Sequence, residues 1–502
     1  MFYVWIMTEP QKQQNNQLSE RRDLAQIILR NTLVITVASW GLKAANFFYL
    51  IAVVRLLGAS GYGQYAAVIA FVGMFGVFFE LGMTQYVERN LARDGGKIQE
   101  VLGDLMALRI ILAVAAIVVL PIIAWSFGYH PDLVMGVVLY AGTFVLAALF
   151  MPLLSVLNAA ERFDAVAAIQ VRTQLMSIGV SLVVLWLGGG VLGLLSIGYL
   201  ILPIQILMAI RLIRRLGLGS LRPIIHLTRW PTLLVAGIPF GLTSLALTFN
   251  FNADAVILSS LRSDSEVGWY SAVYGLVFKL VAVADGLLLT MTPSLAREHV
   301  NDPEQVQAWT STTVGWLAFF GLPAAVGLSL LATPVTTTLF GTAFAPGGPA
   351  LAILAWDIPL LLFTAFCGSA AVAIGLEWPA ARIYLLGTIL NIGLNLIFIP
   401  AYGIIAAAAI TVITDGICAL LFLGLLGKRM RLEALGSRIL RIVLASVVMG
   451  VAVALGRDLP LPVAVIIGIT SYGAMALGLR LVDQALINQG LERLRRLRTT
   501  TP

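Results

Sequence analysis

A succession of fourteen apolar runs constrains this chain more than any other feature of its sequence. The runs cover residues 31–56, 62–87, 105–127, 133–157, 169–187, 191–210, 233–260, 267–292, 310–331, 348–374, 382–399, 404–426, 441–456 and 460–481. A helix needs about 20 predominantly apolar residues to cross a bilayer. Because 59% of the residues are apolar and only 11% are charged, the composition excludes a soluble enzyme or a nucleic-acid-binding protein. The pattern predicts an all-α integral membrane protein with about 14 transmembrane helices.

Lysine and arginine are distributed very unequally between the two sides of these runs. With the N-terminus placed inside, the cytoplasmic segments hold 25 of them and the opposite side holds three. Cytoplasmic loops of membrane proteins carry such an excess, so both termini are expected in the cytoplasm and the net charge of +7 needs no nucleic acid partner. Segment 88–104 and the tail from Gln484 are basic and amphipathic, which fits contact with anionic membrane lipids or simple solvation.

An internal repeat divides the chain. Residues 63–68 and 268–273 are identical at four of six positions at an offset of 205, and residues 177–182 resemble residues 391–396 at an offset of 214. Because each unit has six spans, both begin on the same side of the membrane, so the copies are parallel repeats that form two six-helix lobes. The predicted organisation is a cytoplasmic tail (1–30), an N-lobe (31–210), a basic linker (211–232), a C-lobe (233–426), two further helices with a basic loop (427–481) and a cytoplasmic tail (482–502).

Motifs for catalysis or cofactor binding are missing from the sequence. It has no Gly-rich phosphate loop, no nucleophile elbow and only three scattered histidines, His130, His226 and His299. The longest predicted external connection, residues 332–347, is too short for the catalytic domain of a membrane glycosyltransferase, polymerase or ligase. No catalytic residue, cofactor or metal site is therefore predicted.

Polar residues inside the apolar runs are the main functional candidates, because hydrocarbon disfavours them. In the first run Thr36, Ser39, Lys43 and Asn46 recur at helical spacing and form one polar stripe. A second stripe at repeat-related positions contains Ser244, Thr248 and Asn252. The stripes predict a wet cavity between the lobes, with Lys43 as an anion-binding group; the alternative is a buried pair of Lys43 with Glu80 or Asp285.

Further ionisable residues lie within the predicted spans. Lys279 is either a second cation for an anionic ligand or a salt-bridge partner. Five acids are candidates for proton or Na⁺ binding or for structural pairing: Glu80, Asp254, Asp285, Asp357 and Asp415. Asn391 and Asn395, one helical turn apart, are expected to bond neighbouring helices rather than a ligand.

Two segments resemble those of a known transporter family. Residues 55–65, Arg-Leu-Leu-Gly-Ala-Ser-Gly-Tyr-Gly-Gln-Tyr, followed by Glu80-Leu81-Gly82 and Leu91-Ala92-Arg93, resemble the opening hairpin of the polysaccharide transporters. These are Wzx-type O-antigen and exopolysaccharide flippases of the multidrug/oligosaccharidyl-lipid/polysaccharide exporter superfamily. Pro400-Ala401-Tyr402-Gly403-Ile404 is similar to their second-lobe hairpin.

The resemblance implies a non-enzymatic flippase that moves an undecaprenyl-pyrophosphate-linked oligosaccharide across the cytoplasmic membrane for surface polysaccharide synthesis, with polymerase or export machinery as candidate partners. No motif of the family covers the site residues, so these are inferred from polarity: Lys43 and Lys279 would hold the pyrophosphate, while Ser39, Asn46, Thr248 and Asn252 would contact sugar. Glu80, Asp254 and Asp285 are the ion-coupling candidates. The alternative is a cation-coupled multidrug exporter of the same superfamily; a membrane-bound glycosyltransferase, polymerase or ligase is disfavoured by the short loops.

Overall fold

A computed structural model describes residues 9–80, 83, 98–218, 226–282, 303–427 and 432–481. Among these residues the secondary structure is helical, without strands. The helices are α1 (Glu9–Glu80), α2 (Ile98–Ser126), α3 (Pro131–Ala159), α4 (Phe163–Trp186), α5 (Gly190–Leu195), α6 (Gly198–Arg215), α7 (Trp230–Leu261), α8 (Asp264–Val281), α9 (Pro303–Leu330), α10 (Ala332–Phe340), α11 (Gly348–Leu354), α12 (Asp357–Ala373), α13 (Glu377–Leu426), α14 (Leu432–Leu455) and α15 (Leu461–Gly478).

Two of these helices are each broken at one glycine. Gly58 in α1 has φ 69° and Gly403 in α13 has φ 56°, a region of backbone conformation that favours glycine over residues with a side chain. The break at Gly58 separates the predicted spans 31–56 and 62–87, and the break at Gly403 separates 382–399 and 404–426. In each case a single non-helical residue, rather than a longer loop, separates the two predicted spans.

The observed helices confirm the predicted fold class, although not the count of 14 spans. Within the described residues, nine helices are long and apolar enough to cross a membrane, or ten if the bent pair of residues 342–354 and 357–373 forms one span. The predicted external connection 332–347 contains helical structure: α10 and a 3-10 segment, Thr342–Gly347, fill it. Its apolar residues, such as Val335 and Phe340, are buried, which explains why the segment folds back onto the protein.

The described helices fall into two compact units, residues 1–49 and 50–502. In the larger unit α14 and α15 pack together and against α9, with Ile442, Ala445 and Ala476 in the buried core of this group. The hydroxyl of Tyr472 on α15 donates to the carbonyl oxygen of Phe319 on α9 at 2.7 Å. The two appended helices are therefore anchored to the second repeat.

Candidate functional site

Two glycines at equivalent positions of the repeat, Gly63 on α1 and Gly268 on α8, mark a very close helix contact. A Cβ atom added to Gly63 would lie 1.7 Å from the carbonyl oxygen of Asp264, and one added to Gly268 would lie 1.9 Å from that of Ala59. Asp264 follows Ala59 by the same 205 residues that separate the two glycines. The two halves of the contact are therefore equivalent: each repeat contributes a glycine and the residue that contacts the other repeat's glycine, as in an isologous interface. We call these four residues the glycine crossing.

Polar side chains fix the glycine crossing at its sides. The amide of Gln64 donates to Asp264 Oδ2 at 2.8 Å, and Nε2 of His130 lies 3.7 Å from the same oxygen. The hydroxyls of Tyr129 and Ser259 are hydrogen-bonded to each other. Burial raises the pKa of Tyr129 to about 12, so its phenol keeps its proton at neutral pH and can donate. These bonds join the connection between α2 and α3 to α7 and α8.

Of the three basic residues predicted on the outer side (Arg55, Arg262 and Arg457), two donate hydrogen bonds to backbone carbonyl groups of the second repeat. The guanidinium of Arg55 donates to the carbonyl oxygen of Leu339 at 2.7 Å and to that of Thr338, at the C-terminal end of α10. Arg262 donates to the carbonyl oxygen of Ile399 at 3.2 Å, shortly before the break in α13. Cations suit helix C-terminal carbonyls, which carry partial negative charge.

The second repeat contains a buried polar cluster built around Asp254 on α7. One carboxylate oxygen accepts from the hydroxyls of Tyr270 at 2.6 Å and Thr411 at 2.7 Å. The other accepts from the amide of Asn395 at 2.6 Å. Asp254 is 2% exposed, so these three donors, rather than water, provide its hydrogen bonds.

The cluster extends along α13. The amide of Asn395 also donates to Asn391 Oδ1 at 2.9 Å, and the amide of Asn391 donates to Thr414 Oγ1 at 3.4 Å. The Oδ1 atom of Asn395 is buried and has no hydrogen-bond partner among the described residues. Carboxylate, amide and hydroxyl oxygens are the ligands that hard cations prefer. We call Asp254, Tyr270, Asn391, Asn395, Thr411 and Thr414 the polar cluster.

Two further carboxyl groups lie near the polar cluster. Asp357 at the start of α12 is fully buried. Asp415 on α13 lies beside it and interacts electrostatically with Asp254. Across the described part of the chain, no three His, Cys, Asp or Glu side chains are placed to hold a metal ion together.

The first predicted stripe lies on α1. The ammonium of Lys43 is 5.9 Å from the centre of the Trp40 ring, within cation–π range. The amide of Asn46 donates to the carbonyl oxygen of Leu42 at 2.9 Å. Ser39 lies within the helix, but its side chain is outside the described part of the structure.

The second predicted stripe lies on α7 and repeats this local bonding. The amide of Asn252 donates to the carbonyl oxygen of Thr248 at 2.8 Å, again four residues earlier. Both side chains are half-buried, as a surface beside a cavity would require. Asn252 is followed two residues later by Asp254, so the second stripe and the polar cluster share α7.

The remaining predicted ionisable residues differ in their surroundings. Lys279 in the last turn of α8 is exposed and makes no ion pair with a described residue. Glu80 forms a salt bridge with Arg109 at 3.3 Å, which gives it a partner within the first repeat. Asp285 lies outside the described residues.

An apolar groove of about 580 Å³ runs between α9, α14 and α15. Its lining contains no charged residue among the described part of the chain and includes Phe320, Pro323, Met449, Val465 and Ile469. Such a surface can hold hydrocarbon, and the Tyr472 hydroxyl in its lining is already bonded to the carbonyl oxygen of Phe319.

Sequence reasoning missed three members of the polar cluster, Tyr270, Thr411 and Thr414. Asp254 and both asparagines stand out in apolar helices, but Tyr270 and Thr411 resemble ordinary helix residues in the sequence. They reach Asp254 only because α7, α8 and α13 pack together, over separations of 16 and 157 residues. The one sequence signal that could have identified them is that each is a polar residue within an apolar helix, where polar side chains tend to bond to a neighbouring helix.

Comparison with known proteins shows one matching family and one curated relative. The sequence model described as "Polysaccharide biosynthesis protein" matches residues 52–347, more than half of the chain. A protein of Haloferax volcanii described as "Probable low-salt glycan biosynthesis flippase Agl15" is 24% identical over 162 residues, which are 32% of this chain. The alignment spans about a third of that relative's length, 34%.

Similar folds occur among solved transporter structures. The lipid II flippase MurJ in an inward closed conformation aligns with TM-score 0.73 and 17% identity over 89% of this chain and 99% of MurJ. An inward-facing multidrug resistance transporter of the MATE family aligns with TM-score 0.61 and 17% identity over 78% and 95% of the two chains. The eukaryotic MATE transporter AtDTX14 aligns with TM-score 0.57 and 14% identity over 82% and 99%. The proteins it resembles are flippases and transporters rather than enzymes, as expected from the sequence.

Proposed function

This chain belongs to the polysaccharide biosynthesis protein family, and from that premise we propose that it translocates an undecaprenyl-pyrophosphate-linked oligosaccharide across the cytoplasmic membrane. The glycan would serve surface polysaccharide synthesis, with polymerase or export machinery acting on it afterwards. The family match, the flippase description of one relative and the MurJ-like fold support this assignment. No covalent step is required, since the protein moves its substrate.

The glycine crossing is the observation that carries the proposed mechanism. It joins the two repeats through backbone contacts just after the break at Gly58 in α1 and in the first turns of α8. In the orientation predicted from the charge distribution, with both termini in the cytoplasm, these connections would lie on the external side. The structure then corresponds to a state closed to the outside, and separation of the crossing would open it, as alternating access requires.

The substrate head group would lie between the repeats. Lys43 and Lys279 supply positive charge for the pyrophosphate, and Lys279 is exposed and without an ion pair among the described residues. Ser39, Asn46, Thr248 and Asn252 supply hydroxyl and amide groups for sugars. Charge-assisted hydrogen bonds make lysine a suitable phosphate ligand.

Asp254 is the proposed site of ion coupling. A buried carboxylate surrounded by hydroxyl and amide groups binds either a proton or Na⁺, and either one changes the charge that the membrane interior must accommodate. Asp285 remains a second candidate. Glu80 is a weaker one, because its salt bridge with Arg109 accounts for its charge.

The apolar groove would take the polyprenyl chain. Its lining between α9, α14 and α15 matches hydrocarbon, and a chain held there would remain at the level of the lipid tails. The head group could then cross between the repeats while the tail never leaves an apolar environment.

A cation-coupled multidrug exporter is the second candidate function. The folds of two MATE transporters favour it, as does the buried acidic centre at Asp254. An exporter of apolar cations would depend on carboxylates in its cavity, whereas a pyrophosphate carrier would depend on Lys43.

Mass spectrometry of co-purifying lipids separates the two functions. Wild-type protein is expected to retain a polyprenyl-pyrophosphate glycan, and Lys43→Gln is expected to lose it at unchanged protein level. Arg382→Gln, which removes an exposed cation of α13 outside the stripes, is the matched control and should retain the lipid. Bulk phospholipid alone in the wild type would contradict the flippase assignment, and retention by Lys43→Gln would remove Lys43 from the site.

A further inference from the structure

A pocket of about 370 Å³ lies between α1, α7 and α8, and aromatic side chains form much of its wall. α1 contributes Tyr62 and Tyr65, α7 contributes Phe251, and α8 contributes Tyr274 and Phe278. The volume lies within the range of about 300–1,000 Å³ that is usual for small-molecule sites. We call this space the aromatic pocket. Both repeats contribute to it.

The rings of the α7 and α8 side are held in place by one another. Tyr270 and Tyr274 stack with centroids 5.6 Å apart and an angle of 13° between their planes. Tyr274 lies 5.3 Å from Phe278, which in turn meets Phe251 edge to face at 4.9 Å. Such packing restricts ring rotation, so these side chains lose little further conformational entropy when a ligand binds to them.

A few polar groups interrupt the aromatic wall. The amide nitrogen of Asn252 is bonded to Thr248, while no described residue donates to its side-chain oxygen. A ligand rich in hydroxyl groups would donate to this open Asn252 oxygen.

We propose that the aromatic pocket is a carbohydrate subsite that holds one pyranose ring of the transported glycan. A pyranose has an apolar C–H face and a rim of hydroxyl groups. Tyr65 and Tyr274 offer faces for the former, and the side-chain oxygen of Asn252 offers a partner for the latter. The inference rests on the proposed function and deepens it, since it assigns the sugar part of the substrate to a defined set of side chains.

The absence of charge in the wall argues for a neutral ligand. An aromatic cage also attracts organic cations, but a desolvated cation needs a counter-charge nearby. Of the described residues that line the pocket, none is Asp, Glu, Lys or Arg. The nearest link to a carboxylate is indirect, through the Tyr270 hydroxyl bonded to Asp254.

Tyr270 connects the sugar subsite to the proposed ion site. Its ring lines the aromatic pocket and its hydroxyl donates to Asp254 in the polar cluster. A sugar stacked against the Tyr270–Tyr274 pair and an ion at Asp254 would therefore act on the same side chain. Two ligands that share one side chain in this way influence each other's affinity.

Two variants alter the pocket in different ways: one fills it and the other removes part of its aromatic wall. A Cβ atom at Gly275 would meet Leu50 at 3.6 Å and the Tyr62 hydroxyl at 3.9 Å, so Gly275→Val is accommodated in the helix but fills the pocket. Tyr274→Leu removes one aromatic face. The matched control is Tyr402→Leu, which removes a tyrosine that is 66% exposed on α13.

Saturation-transfer NMR on the full chain in lipid nanodiscs tests the site, with the methyl glycosides of glucose, galactose, N-acetylglucosamine and rhamnose as probes. At least one glycoside should receive saturation at its ring C–H protons. Gly275→Val and Tyr274→Leu should each reduce the signal by about fivefold, the factor for losing a ring contact of about 1 kcal/mol. Tyr402→Leu should leave it unchanged, and tryptophan fluorescence identifies any variant that fails to fold.

Several results would overturn the subsite. These are no transfer to any of the four glycosides, transfer in both pocket variants as strong as in the wild type, or binding of tetraphenylphosphonium in place of the glycosides. The lipid analysis separates this failure from failure of the proposed function. If wild type and Gly275→Val retain equal amounts of a lipid-linked glycan, the function stands and the subsite is wrong. If glycosides bind in the pocket but the wild type retains no such lipid, the subsite stands and the flippase assignment is wrong.

Discussion

The two repeats share a scaffold but differ in the chemistry of their interiors. Asn391 and Asn395 of the second repeat align with Ser177 and Ser181 of the first at the offset of 214. Asn395 bonds to Asp254 on α7, and Asn391 bonds to Thr414 on the other side of the break in α13. Ser181 instead donates to the carbonyl oxygen of Ser177 within its own helix, at 2.6 Å.

This difference follows from what each side chain can do alone. A serine hydroxyl reaches the carbonyl oxygen four residues earlier and needs no other helix. A buried carboxylate or amide has more polar groups than its own helix can satisfy, so it fixes the positions of neighbouring helices. The duplicated scaffold thus tolerates divergence at these positions, and the second repeat has concentrated the groups suited to ion binding.

The glycine crossing is the place where the repeats remain equal, and its disruption should have the largest effect. Gly63→Ala and Gly268→Ala should each reduce cross-linking between cysteines at positions 64 and 264 by about tenfold or more, since overpacking costs about 1–3 kcal/mol. The cross-linking uses a short, reducible thiol reagent with Cys367 and Cys418 replaced by Ala.

Gly393→Ala is the control for this experiment, because a Cβ atom there meets nothing within 4 Å. It should leave the cross-linking yield unchanged. A strong effect of one glycine variant and none of the other would show that the crossing is not shared equally by the repeats.

Removal of the Asp254 carboxylate should affect ion coupling far more than a substitution in the first repeat. Asp254→Asn keeps the side-chain volume but removes the charge, so dependence of translocation on a Na⁺ or proton gradient should fall by about tenfold or more. Ser181→Ala in the first repeat should change it by less than about twofold. The measurement is translocation into proteoliposomes under imposed gradients; an unaltered gradient dependence in Asp254→Asn would exclude Asp254 as the coupling site.

A swap toward the first repeat should have a smaller effect on stability. Asn395→Ser places the first repeat's residue in the polar cluster and takes the amide donor from Asp254. Loss of an interhelical hydrogen bond of about 0.6–1.7 kcal/mol should lower the thermal midpoint by about 1–4 °C. Ser181→Ala should lower it by less than about 1 °C, as measured by tryptophan fluorescence in detergent. Equal shifts would mean that the two interiors do not differ in cohesion.

The smallest effect is expected at Glu80. Glu80→Gln retains an oxygen that can accept from Arg109, and the acidic side chain is 44% exposed, so the salt bridge contributes little. The gradient dependence should match that of the wild type, and the thermal midpoint should shift by less than about 1 °C. A loss comparable to that of Asp254→Asn would move ion coupling to the first repeat.

The sequence predicts the helical scaffold well because span length and hydrophobicity determine it. Even the breaks at Gly58 and Gly403 fall where the apolar runs are interrupted. Residues 332–347 were predicted only as a connection between spans, but part of this segment is a helix. Burial of Val335 and Phe340 against the protein stabilises that helix.

The site was predictable only where a residue contrasts with its own helix. Asp254 and Asn252 stand out in apolar surroundings, so their positions were predicted. Tyr270 and the aromatic pocket depend on the packing of three helices, and tyrosines within apolar spans carry no marker of a shared cavity. Tertiary contacts between α1, α7 and α8 supplied this information.

Translocation by the cross-linked protein tests the central claim most directly. Proteoliposomes would carry the 64–264 cysteine pair and a lipid-linked oligosaccharide, whose exposure is read by its accessibility to periodate. The account predicts translocation by the reduced protein, arrest when the glycine crossing is held closed by the cross-link, and recovery on reduction. Translocation at an equal rate with the crossing locked, or none by the reduced and folded protein, would contradict it.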